Sequence, residues 1–410
     1  MTVAPHRPPA SEHDFLALFE EARQRRRRRR VLAAAIVAVV VAVIASLVLA
    51  VSLPSSSMHK VISPSRPGPV GTFSRPTHAV LVFADGFVLD LDHRRVVGRP
   101  IHGQRPGDQR WDIVRAGNSL VVGWGEVWAD SIAGRPPRRL GQVVTYVPAA
   151  DRNAVWLIDY PGGRIGEGTP TLSEVSVTGK VLHTELGPPP SSGVPVIGVP
   201  GGLAFQTSTG IAFWDVNQHM FIRRLGTQAG FIGNAAVGKV AWCEGLCTRL
   251  HVTDTAGADV VFSSPQPGRS IQPTSASLSP DGRYAAVITT SQGPQTGNQR
   301  GTLDIIDTQT GQVDIAKRDL SAFSTLTWTS DSRTLFFASD HGSGIIVGEV
   351  PMRAQRAETA DVPIQSAEPF VVVNRSEAVS LLRAADRETP LRCSVTLITL
   401  VPARACSYGY

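Results

Sequence analysis

The sequence predicts an all-β body, a β-propeller of about seven four-stranded blades (eight on the larger count), set behind one membrane-spanning helix. Three observations predict it. An apolar run of 21 residues from Val31 to Val51 directly follows a run of arginines. A strand–polar turn–strand unit then recurs along the rest of the chain. Composition supplies the third: 38 Gly and 30 Pro against only 18% charged and 6% aromatic residues favour many strands and turns over helices. At 410 residues the chain has ample length for a large core.

The apolar run has the length a helix needs to cross a bilayer, and it is interrupted only by Ser46. Arg25, Arg26, Arg27, Arg28, Arg29 and Arg30 mark the cytoplasmic side and sit among lipid headgroups. The chain is therefore expected in the cell membrane as a single-pass protein, with residues 1–30 cytoplasmic, 31–53 spanning and the remainder extracytoplasmic. A cleaved signal peptide is the rival, but its apolar region should be roughly 7–15 residues long and lie nearer the N-terminus. In the tail, Ser11 with Asp14 suits a helix start. Phe15, Leu16, Leu18 and Phe19 then give an apolar cluster, suited to the bilayer surface or to a cytoplasmic docking partner. The net charge of +6 comes mostly from this tail. The remainder is close to neutral, so no nucleic-acid partner is expected.

Residues 54–76 hold Pro54, Pro64, Pro67, Pro69 and Pro76 among Ser and Gly, the composition of a semi-extended spacer. From 77 to 410 one domain is expected, because the repeat runs through it. The repeated unit appears at Val88–Asp92, at Glu174–Val181, at Ala212–Asp215, at His251–Gly257 and at Asp304–Val313, with weaker copies near Asp130 and Glu349. Its spacing of roughly 38–53 residues is that of a propeller blade. Asp and Gly recur at its turn because Gly supplies positive φ and Asp can bond its own following backbone. Seven blades are counted, or eight if 77–100 and 368–410 do not share one.

A second repeat is Leu278-Ser279-Pro280-Asp281-Gly282-Arg283 before an apolar strand, matched about 50 residues on by Leu326-Thr327-Trp328-Thr329-Ser330-Asp331-Ser332-Arg333. This pair resembles the S-P-D-G-[KR] hairpin of TolB-type and WD-repeat β-propellers, with Ser332 standing where that family usually has Gly. The resemblance implies blades around a central channel with loops on two faces. It is nearly silent on function.

Four cysteines, in an oxidising compartment by this topology, favour two disulfides. Cys243 and Cys247 bracket a hairpin turn, and Cys393 and Cys406 are expected to staple a C-terminal strand pair. His251 near Cys247 is too little for a metal site, and no cofactor is expected. No H-E-x-x-H or G-x-S-x-G stands in the chain. Trp111, Trp124, Trp128, Trp156, Trp214, Trp242 and Trp328 recur about once per blade, suited to packing between blades or to an aromatic ring at one face. The expected function is a binding module for an envelope or secreted protein or a ligand, with signalling or scaffolding at the envelope as its use. The alternative is a propeller hydrolase or lyase with its site at the channel mouth, drawing on groups such as His102, Asp108 or His341.

Overall fold

A computed structural model describes residues 73–84, 87–93, 95–98, 112–263, 268–272, 275–291, 299–341, 344–353, 356–362 and 369–388. The arginine run, the apolar run, most of the spacer, His102, Asp108, Trp111, Cys393 and Cys406 lie outside them. Among the described residues no helix is long and apolar enough to cross a membrane.

The described strands form seven sheets, each a meander counted A to D outward from the axis. Blade 1 contains β1 (Ala79–Phe83), β2 (Phe87–Asp90) and β3 (Arg95–Gly98). Blade 2 contains β4 (Asp112–Ala116), β5 (Ser119–Ser131) and β6 (Arg138–Val143). Blade 3 is β7 (Thr145–Pro148), β8 (Ala154–Asp159), β9 (Thr171–Ser176) and β10 (Val181–Leu186). Blade 4 is β11 (Val194–Val199), β12 (Gly202–Thr207), β13 (Gly210–Asp215) and β14 (Met220–Leu225). Blade 5 is β15 (Gly230–Ala236), β16 (Lys239–Glu244), β17 (Arg249–Asp254) and β18 (Asp259–Ser263). In blade 6 a split inner strand, β19 (Arg269–Ile271) and β20 (Ser277–Leu278), pairs with β21 (Tyr284–Ser291), followed by β22 (Arg300–Asp307) and β23 (Val313–Ser321). Blade 7 is β24 (Thr325–Trp328), β25 (Thr334–His341), β26 (Gly344–Pro351) and β27 (Glu358–Val362). A last strand, β28 (Phe370–Asn374), precedes helix α1 (Val379–Glu388).

The closure decides the blade count. β28 pairs with β1 from Ala79↔Asn374 to Phe83↔Phe370, so the two ends of the domain share blade 1. The inner strands β28, β4, β7, β11, β15, β20 and β24 each contact the next, and β24 contacts β28. The ring therefore closes at seven, which removes the inner edges that an open sheet would expose.

Blade 2 hides its fourth strand. Thirteen extended residues would span about 40 Å, yet the Ile132 N–H donates to the Asn118 carbonyl at 2.9 Å across β5. β5 doubles back at Gly123 and Gly125, which hold φ of 148° and 76°. Its first half pairs with β4 and its second with β6. The chain is a seven-bladed β-propeller of four-stranded blades.

The core lies between blades, as alternate strand residues point to opposite faces of each sheet. Val147, Trp156, Leu172, Phe205 and Trp214 fill the seam of blades 3 and 4, and Ile288, Leu303, Trp328 and Phe337 that of blades 6 and 7. Between blades 1 and 2, Ala378, Leu381 and Leu382 of the α1 region join Val80, Val373, Ile113 and Leu120. Phe73 already packs on the seam of blades 7 and 1. Ser74 donates through its N–H and Oγ to Glu358, while the Thr77 N–H donates to Asp92 at 2.7 Å.

Candidate interaction face

The repeated unit is the C–D turn, and in blades 4, 5 and 6 its Asp works as its chemistry requires. The Asp215 carboxylate accepts from the N–H groups of Asn217 and Gln218, and that of Asp307 from Gln309 and Thr310. Asp254 accepts likewise from Gly257 and Ala258.

The S-P-D-G hairpin is the A–B turn of blade 6. Ser279 Oγ donates to Asp281 Oδ1 at 2.6 Å and accepts from the Tyr284 N–H at 2.9 Å, while Asp281 Oδ1 accepts from the Arg283 N–H. These hydrogen bonds hold the Asp281 carboxyl below its ordinary range, against the effect of partial burial. Gly282 takes φ 68°, and a Cβ there would stand 2.8 Å from Val237 Cγ2. Blade 7 repeats the turn with Thr329 and Asp331 in the same bonds, and Ser332 takes the glycine position at φ 63°. Its hydroxyl accepts from the Asp281 N–H at 3.0 Å, joining the two turns.

These A–B turns sit beside the axis on one face, and there Arg152 reaches from blade 3 to donate to the Pro280 carbonyl of blade 6 at 3.0 Å. Blades 3 and 6 stand on opposite sides of the ring, so a guanidinium crosses the mouth of the channel. The motif residues Ser279, Pro280, Asp281, Gly282 and Asp331 are thus brought together as a structural brace.

A cavity of ≈ 390 Å³ on this face is lined by His78, Asn374, Arg375, Ser376, Val379 and Leu382. Arg375 and His78 are committed elsewhere, Arg375 to His93 and Asp90, and His78 to Asp92. Among the described residues no group of three or more His, Cys, Asp or Glu side chains is placed to hold a metal ion.

The opposite face carries the B–C loops and the D–A links, and here the Cys243–Cys247 disulfide forms with Cα atoms 5.0 Å apart. Both cysteines are buried, in the seam of blades 5 and 6. The loop between them is fastened on three further sides. The Gly245 N–H donates to Ala229 O, the Ile271 N–H donates to Cys247 O, and the Glu244 carboxylate accepts from the Thr227 N–H. Held this way, Leu246 projects with 79% of its surface exposed, the most of any large apolar side chain among the described residues. Ile165 and Phe323 are also exposed, on the B–C loop of blade 3 and on the link from blade 6 to blade 7.

Other polar constellations are built into blades. Trp214 Nε1 donates to Glu185 Oε1 at 2.6 Å, and His219 Nδ1 stands 2.5 Å from Glu185 Oε2, tying blade 4 to blade 3. In blade 5, Trp242 Nε1 donates to Thr253 Oγ1, which donates to Asp259, and His251 Nδ1 pairs with the same carboxylate. Trp156, Trp214, Trp242 and Trp328 are all buried, so these four serve packing rather than an exposed aromatic ring. His341 ends β25. Sequence reasoning missed Arg152, Ser332 as a bridge, Glu185 with His219, and Leu246. The one available signal was Leu246 itself, an apolar residue inside a four-residue cysteine spacing.

No protein-family model and no curated protein matches the chain. Among solved structures, it is similar in shape to TolB. The Acinetobacter baumannii TolB structure aligns over 77% of this chain and 88% of its own, at 12% identity and TM-score 0.41. Virginiamycin B lyase from Staphylococcus aureus aligns over 62% and 84%, at 14% identity and TM-score 0.43. Hydrazine synthase from Kuenenia stuttgartiensis aligns over 62% and 79%, at 13% identity and TM-score 0.40. At such values the likeness is one of shape, and function rests on this chain's own residues.

Proposed function

We propose that this chain is a single-pass membrane protein whose extracytoplasmic propeller binds an envelope or secreted protein through its B–C loop face. One observation carries the reading: Leu246, exposed on a loop pinned by a disulfide and by backbone bonds to both neighbouring segments. A rigid, exposed leucine forgoes about 2 kcal/mol of burial and loses little entropy when a partner covers it, which is how an anchor residue is built. The disulfide supports an oxidising compartment, in keeping with the arginine run before the apolar segment. The mouth on the other face is crossed by Arg152, which favours a binding surface over a site reached through the channel there.

The test is a photo-reactive amino acid at position 246 of the full-length protein in native membranes, with mass spectrometry of the adducts. One dominant protein adduct, whose protein also co-purifies with a separate tagged wild type but not with a tagged Leu246→Asp variant, supports the reading. Adducts no different from those of a probe on the A–B face would overturn it.

A further inference from the structure

Seven outer strands end the seven sheets, and each is a potential template for another strand. Four are broken by an extra residue that bends the edge: β6 at Leu140, β10 at Leu182, β14 at Ile222, and β23 at Ala316 and Asp319. α1 lies against β3. β27 carries Glu358 and Asp361, and Ser74 is bonded to the former.

β18 is the exception. Its five residues pair with β17 from Thr253↔Asp259 to Arg249↔Ser263 without a register shift. Val260 and Val261 are exposed in its middle, and Met220, Ile222 and Ile315 are exposed on the outer strands to either side. Alternate N–H and C=O groups of such an edge point away from its one partner. Its only charge, Asp259, stands at the start of the strand with a third of its side chain exposed, and is bonded back to β17 by Thr253 Oγ1 at 2.6 Å and His251 Nδ1 at 3.0 Å. Among the described residues neither a bulge nor a helix blunts this edge, and the network behind it stiffens the strand.

We propose that β18 pairs antiparallel with β18 of a second copy of this chain, about a two-fold axis through Val261. The sequence Asp-Val-Val-Phe-Ser is complementary to itself in that register. Val261 faces its own copy, Val260 faces Phe262, and Asp259 faces Ser263, so no like charges oppose each other. An isologous pairing of this kind leaves both loop faces free. It is independent of the partner proposed for Leu246.

Analytical ultracentrifugation of the full-length chain in density-matched detergent, over a micromolar concentration series, tests this. The wild type should show a monomer–dimer equilibrium, and Val261→Lys should weaken it at least tenfold with an unchanged far-UV circular dichroism spectrum. In a separate variant, Val261→Cys should give an oxidised dimer that the wild type does not. A wild type that stays monomeric overturns the proposal, whether hydrogen exchange finds the β18 amides open or covered by residues 389–410. So does a well-folded Val261→Lys that dimerises like the wild type while Val261→Cys gives no cross-link.

Discussion

The backbone N–H of Asp281 donates to the Oγ of Ser332 at 3.0 Å, so the A–B turn of blade 6 is hydrogen-bonded to its own repeat in blade 7. Ser332 occupies a left-handed position, φ 63°, where a glycine would be unstrained. Its side chain explains its presence, because glycine would leave that part-buried bond unmade.

Two substitutions separate strain from bond. Ser332→Ala keeps the backbone strain and loses the bond, and is expected to cost about 1–2 kcal/mol. Ser332→Gly loses the bond but relieves the strain, and should cost clearly less. Urea denaturation measures both. If Gly proves the more damaging, the bridge is not what stabilises this position.

Glu349 faces Glu358 across β26 and β27. Burial, then the charges of Glu358 and Asp92, push its carboxyl from 4.5 up to about 7. Because the folded form holds the proton more tightly than the unfolded one, this stability is present below about 4.5 and is lost as pH rises through about 7. Glu349→Gln should flatten the dependence of Tm on pH across that window and give a higher Tm than wild type above it. Parallel wild-type and mutant curves would show that another group governs it.

Trp214→Phe keeps most of the packing but removes the donor to the buried Glu185 Oε1. The expected cost is about 1–3 kcal/mol for a buried carboxylate oxygen left unmatched. Glu185→Gln combined with Trp214→Phe should cost less than the sum of the two single changes. Strict additivity in that cycle would mean the two side chains are not coupled.

Replacing Cys243 and Cys247 together by serine opens a short loop, so the expected loss is modest, about 2 kcal/mol. The larger effect should be local. Amide exchange at Glu244–Thr248 should rise while β16 and β17 remain protected, and photo-cross-linking from position 246 should fall. Unchanged exchange in the loop would mean that its backbone bonds alone hold it.

Much of the fold was legible because its units are local. The Asp-Gly C–D turns and the Ser279–Tyr284 hairpin close within about six residues and carry their own hydrogen bonds, so residue type and spacing announce them. The Cys243–Cys247 pair was legible for the same reason. The fold-back of β5 was not, since Gly123 and Gly125 sit in a run that reads as one long strand. The candidate site was mostly illegible. Exposure of Leu246 depends on backbone bonds to Ala229 and Ile271 and on the Glu244 carboxylate accepting from the Thr227 N–H, which spacing does not reveal.

The sequence by itself determined the strand period, the turn chemistry, the repeat length and the near pairing of two cysteines, because each rests on residues close in the chain. Tertiary structure alone decided that the ring closes at seven, through β28 against β1 at the two ends of the domain. It also decided that Arg152 crosses the channel mouth, that Ser332 braces Asp281, and that β18 is, among the described outer strands, left flat with its one charge bonded back to β17. Those are relations between blades. They depend on how many blades close the circle, a property of inter-blade packing that no single repeat contains.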